Sequence, residues 1–145
     1  MTDTRADLDA AIDRYPPDVA ATARAALARL RKRFPGARLL VYERRGSLPI
    51  GLAPADRRGA VLSVVLYPRW VRFFFMEGVA LDDPEGRLEG SGSQVRSLRV
   101  DGNASTLDEP YVRGLMTQAV RVAGVNLTTG TGEVVFKSRL GAQRR

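Results

Sequence analysis

Residues 60–76 read Ala60-Val61-Leu62-Ser63-Val64-Val65-Leu66-Tyr67-Pro68-Arg69-Trp70-Val71-Arg72-Phe73-Phe74-Phe75-Met76. Two runs rich in β-branched and aromatic residues flank a Pro-Arg pair too short for anything but a tight turn. That pattern predicts an antiparallel hairpin of strands over 60–67 and 70–76. The run 61–66 is apolar on both faces, as a central strand is. In the second run, alternation places Trp70, Arg72, Phe74 and Met76 on one face and Val71, Phe73 and Phe75 on the other. If the latter set packs beneath helices, the opposite face shows two aromatics flanking an arginine. Such a face could stack on a base, a planar ligand or a partner. The plainer alternative is a second hydrophobic layer, with 51–56 and the C-terminal segment lying over that face.

Working outward, Leu8, Ala11, Ile12 and Tyr15 recur at helical spacing, which predicts a short helix over 4–15 ended by Pro16-Pro17. Val19, Ala23, Ala26, Leu27, Leu30 and Phe34 form one stripe of a second helix over 18–34, stopped by Pro35-Gly36. Further strands are expected over 39–44, weakly over 49–53, and over 95–100. Helical period returns over 106–123, with Thr106 and Glu109 spaced as a capping box, Pro110 in the first turn and Gly124 as the C-terminal cap. A short last strand over 133–136 and a frayed basic tail over 139–145 complete the chain. The order predicts a single α+β domain: an antiparallel sheet with the N- and C-terminal helices packed on one face.

The 145 residues include no cysteine and no histidine, which excludes disulfides, thiolate nucleophiles, Cys/His zinc sites and a Ser-His-Asp relay. Acid/base candidates reduce to carboxylates, Tyr42, Tyr67, Lys32 and Lys137, and the acids cluster in one loop and one helix. An enzyme is therefore the poorest reading, and a non-enzymatic binding domain without a cofactor the better one. With no leader-like or membrane-length apolar run, a cytoplasmic protein without membrane attachment is expected. The net charge of +7 is segmented: −3 over 1–20, +10 over 21–72, −5 over 73–110 and +5 over 111–145. A basic surface beside an acidic loop could draw in nucleic acid or other anions, though arginine-rich solvated surfaces need no partner.

The acidic loop reads Leu81-Asp82-Asp83-Pro84-Glu85-Gly86-Arg87-Leu88-Glu89-Gly90-Ser91-Gly92-Ser93. Four carboxylates within eight residues could take a hard cation, but the spacing misses the EF-hand template, and no metal site is assigned. Gly90-Ser91-Gly92 could turn successive amides toward an anion, with Arg96 assisting. The simpler account is a loop using glycine for positive φ, with Arg96 paired to Glu89 or Glu85. P-loop and dinucleotide fingerprints are absent.

The tract 81–92, followed by Val95-Arg96-Ser97-Leu98-Arg99-Val100 and by Leu107-Asp108 leading into a helix, resembles the YdhG-like domain family of small bacterial proteins. Tyr15-Pro16-Pro17-Asp18-Val19, Phe34-Pro35-Gly36-Ala37 and Tyr42 in the first strand extend the likeness over about 8–124. The resemblance implies an α+β sandwich similar to frataxin, and some members have been proposed as iron chaperones. The chain departs from the family in having Glu43-Arg44-Arg45-Gly46 after Tyr42, where a Gly-Met-Pro segment is usual, and in extending past Gly124. The expected role is to bind a small anionic ligand or a protein partner through Tyr42, Trp70, Arg72 and Phe74 on the open sheet face, with Glu89, Gly90, Ser91, Gly92 and Arg96 beside it. One alternative is iron handling by Asp3, Asp7, Asp9, Asp13 and Asp18 together with Asp82, Asp83 and Glu85; five cations on the next helix would oppose it by repulsion. The other is nucleic-acid binding through 24–33 and the tail.

Overall fold

A computed structural model describes residues 3–56 and 58–141. Helix α1 spans Thr4–Asp13, capped by Asp3, whose carboxylate accepts from the amides of Arg5 and Ala6 at 3.0 and 3.2 Å. Helix α2 spans Pro17–Arg33 and buries Val19, Ala23, Ala26, Leu27 and Leu30 on one stripe. The strands are β1 Arg38–Tyr42, β2 Leu48–Ala53, β3 Leu62–Leu66, β4 Val71–Phe75, β5 Arg96–Val100 and β6 Val134–Ser138, with α3 Pro110–Ala123 between the last two. Among the described residues no helix is long and apolar enough to cross a membrane.

The expected α+β layering is present: among the described residues six strands lie in the order β5-β4-β3-β2-β1-β6, with helices packed on the sheet. The 60–67 and 70–76 runs form the antiparallel pair β3–β4, closed by the Tyr67 amide donating to the Trp70 carbonyl at 2.9 Å. The sheet is mixed rather than wholly antiparallel, because β6 lies parallel to β1. After α3 the chain runs back through 127–132 across the β1 entrance before joining the edge. The crossing is close: a Cβ on Gly36 would lie 2.2 Å from the Thr129 carbonyl carbon.

One apolar cluster joins the helices to the inner face of the sheet, where Val64, Phe73 and Phe75 are completely buried. The two phenyl rings meet edge to face with centroids 5.0 Å apart. The alternation is realised within β4, with Arg72 and Phe74 half-buried on the side without helices; Trp70, just before the strand, is exposed and borders a hollow with Asp18 and Thr22 of α2. Cross-strand neighbours on that outer face are Arg99, Arg72, Val65 and Pro49 in one row and Ser97, Phe74, Ser63, Gly51 and Leu40 in the next.

Two local expectations differ. Thr106 and Glu109 do not form a capping box. Residues Ser105–Asp108 make a 3-10 turn, the Thr106 hydroxyl accepts from the Asp101 amide, and α3 starts at Pro110 without a side-chain cap. Proline's fixed φ and missing N–H start the helix there without one. Nor is the start of the tail loose. Arg139 reaches Asp7 at 3.2 Å and the Leu140 amide donates to Glu43 at 3.1 Å, while 142–145 lie outside the described residues.

Candidate ligand-binding site

On the outer sheet face lies a concavity of about 470 Å³, within the size range of small-molecule sites. Its depth comes from side-chain size: Gly51 and Ser63 are cross-strand partners, so two adjacent central strands present almost nothing between the larger Tyr42, Tyr67, Phe74 and Met76. At one end the lining includes Ala60, a residue of the loop that follows β2. That loop is held by the Arg38 guanidinium, which donates to the carbonyls of Pro54 and Arg58 at 2.8 Å each. Ala60 packs so tightly on Gly51 that a Cβ there would come within 2.7 Å of the alanine methyl carbon. The second layer considered from sequence is not what these segments build: 51–53 and 134–138 lie within the sheet itself, as parts of β2 and β6.

The lining holds one charged group, Arg44, and no carboxylate. Arg44 leaves β1 in the 43–47 turn, which its amide closes on the Ser47 carbonyl at 3.2 Å. The exposed guanidinium lies 5.6 Å from the centroid of the Tyr42 ring. Among the described residues Arg44 makes no ion pair. An apolar, partly aromatic bowl with hydroxyls from Ser47, Ser63, Tyr42 and Tyr67 and one cation at the rim can hold a flat molecule by its faces and an acid group at one edge.

Of the residues singled out in the sequence, Tyr42 and Phe74 line this bowl. Arg72 is turned to the β5 side, where Nε donates to the Ser97 hydroxyl at 3.0 Å and Nη2 pairs with Glu89. Glu89 itself bridges to Ser97 by two backbone hydrogen bonds of 2.8 and 2.9 Å, extending the sheet edge by one residue. Trp70 lies outside the bowl, under the Arg99 guanidinium 5.0 Å from the ring centroid. Arg96 pairs with neither Glu89 nor Glu85; its Nη1 donates to the carbonyls of Gly92 and Val95 at 2.7 and 2.8 Å. The 90–92 loop, Ser91 included, therefore turns a carbonyl toward a cation, where an anion-binding loop would direct amides at the ligand, and only Val95 from this region touches the bowl.

Sequence reasoning did not propose Arg44, Gly51 or Ser63 for the site, and weighed Tyr67 only as an acid/base group. The signal available was Gly51 in a strand-like run, since an interior glycine often marks a close backbone or ligand approach. Its alignment with Ser63, however, is a matter of register.

The acids are distributed as structural partners. Asp9 and Asp13 both hold Arg24, at 2.6 and 2.8 Å, Asp7 holds Arg139, and the Asp18 carboxylate accepts from the Val19 amide. In the 82–88 loop, Asp83 accepts from the Tyr111 hydroxyl and from the amides of Arg87 and Leu88 at 3.0 and 2.8 Å. Arg87 pairs with Glu109 at 2.8 Å, and the Asp82 backbone exchanges two hydrogen bonds with Gln118. This acidic tract is a clasp onto α3. Among the described residues no three acids gather where a metal ion could bind. No protein-family model, curated protein or solved structure matches the chain.

Proposed function

We propose that this protein is a non-enzymatic binding domain of YdhG-like type, whose open sheet face takes a small planar molecule bearing one anionic group. The observation that carries the reading is the bowl over Gly51 and Ser63, a largely apolar depression whose one charged lining group is Arg44. The likeness of 81–92 to the YdhG-like tract and the α+β layering support the family assignment. The iron reading has no comparable support, because Asp7, Asp9, Asp13 and Asp83 are engaged by intramolecular partners and, among the described residues, no three acids gather at one point.

The test uses anilinonaphthalene sulfonate, a flat aromatic anion, titrated into the folded protein with near-ultraviolet circular dichroism as the check on native packing. One saturable site is expected. Ser63→Phe fills the floor and should abolish binding, while Arg44→Gln should raise Kd about tenfold, the cost of one charge-assisted hydrogen bond. Affinity unchanged by Ser63→Phe would remove the bowl as the site.

A further inference from the structure

On the helical side of the molecule, a second hollow of about 380 Å³ opens where the end of α2 passes the start of α3. Leu30, Leu107 and Met116 form its apolar floor, and Arg29, Lys32, Arg33 and Arg113 surround it, with Asp108 as the one carboxylate. The convergence follows from helical period, since positions 29, 32 and 33 share one face of α2 and face the first turns of α3. Two of the cations are fixed in place. Arg29 Nε donates to Asp108 at 2.8 Å, and Arg33 donates to the Arg113 carbonyl at 3.2 Å and to the Thr117 hydroxyl at 2.6 Å. The Arg33 contacts orient the guanidinium without neutralising it. Lys32 and Arg113 are exposed and, among the described residues, pair with no carboxylate. Burial, and then the charge of Arg113, hold Arg33 below the usual guanidinium value, as expected where positive charge lacks compensation.

We propose that this hollow binds a compact polyanion, a small molecule carrying a diphosphate group. Oriented guanidinium forks suit phosphate oxygens, and the apolar floor leaves room for an uncharged body beside them. A nucleic-acid backbone fits less well, because the positive charge does not continue along α2. Arg24 is neutralised by two aspartates, and Arg31 faces the α1 groove together with Arg5. The site is separate from the sheet-face bowl, so either can fail without the other.

Calorimetric titration with inorganic pyrophosphate, with orthophosphate in parallel, tests the proposal. One pyrophosphate per chain is expected to bind, at least tenfold tighter than orthophosphate, with Kd rising about tenfold in Lys32→Gln and in Arg113→Gln. Lys137→Gln, which removes a cation from β6, should leave Kd unchanged. All three side chains are exposed, and equal melting temperatures confirm that the variants fold. Absence of binding at millimolar pyrophosphate, equal affinity for orthophosphate, or an equal loss in Lys137→Gln overturns the site. So does a single-stranded RNA that displaces pyrophosphate, binds more tightly and weakens steeply with salt, since that would assign these cations to a nucleic-acid backbone.

Discussion

Phe73 and Phe74 are chain neighbours with the same side chain, and the sheet gives them different work. Phe73 is wholly buried under the helices, whereas Phe74 is half-buried at the edge of the outer bowl. Phe73→Ala should cost about 3–5 kcal/mol in urea unfolding, and Phe74→Ala about 1 kcal/mol. A comparable asymmetry governs Glu43 and Arg14, paired at 2.9 Å with side chains 7% and 58% exposed. Removing Arg14 strands a buried carboxylate, while Glu43→Gln leaves behind a solvated guanidinium and an amide oxygen still able to accept from Leu140. Arg14→Ala should therefore destabilise the protein more than Glu43→Gln does, by about 1–2 kcal/mol in the same assay. Asp83 supplies the pH dependence. Burial raises its pKa, but the Tyr111 hydroxyl, the Leu88 and Arg87 amides and the Arg87 charge together outweigh that and hold it below the ordinary value. A carboxyl lowered on folding contributes stability above the unfolded value of about 4 and loses it as pH falls through the folded one. Carboxyl NMR titration of Tyr111→Phe should find the Asp83 pKa raised toward that ordinary value, and a pKa left where it was would remove the hydroxyl from this account.

At the level of elements, the placement of β6 depends on the crossing of 127–132 over Gly36. Thr129 backbone atoms lie 2.2 to 2.6 Å from where a Gly36 Cβ would sit, so the added methyl must push main chain apart. Gly36→Ala should lose about 1–3 kcal/mol, and hydrogen exchange should quicken first in β6 and in β1 beside it. Unchanged exchange in β6 would mean that the edge strand is held by its β1 ladder alone. The clasp of 82–88 on α3 shows how an acid-rich, glycine-containing stretch becomes ordered without regular structure. The Asp83 carboxylate, the Arg87 guanidinium and the Asp82 amide are taken by Tyr111, Glu109 and Gln118 respectively, across a gap of more than twenty residues. Sequence showed the acids plainly, but their partners lie on a helix whose face toward the loop is set only when it docks.

For the whole molecule, the single tryptophan is a reporter outside both hollows. Trp70 is 40% exposed between Arg69 and Arg99, so native emission should be quenched more by iodide than by cesium. Trp70→Ala should leave sulfonate-dye binding on the sheet face unchanged; loss of that binding would move the site toward the β4 start. The sequence by itself determined the layered α+β architecture, the central hairpin and the buried side of β4, because each is a local periodicity that only one backbone shape can satisfy. It also placed Phe74 outward by alternation, and offered Tyr42 through the family resemblance. Tertiary structure alone decided that β6 runs parallel to β1, that Gly51 meets Ser63 across the sheet to leave a bowl, and that Arg44 borders it. It likewise decided that half of the acids, and several of the arginines, neutralise one another. The reason is physical: register, crossing and charge pairing join residues tens of positions apart, and nothing in a local pattern says which distant groups the folded chain will bring within a few ångströms.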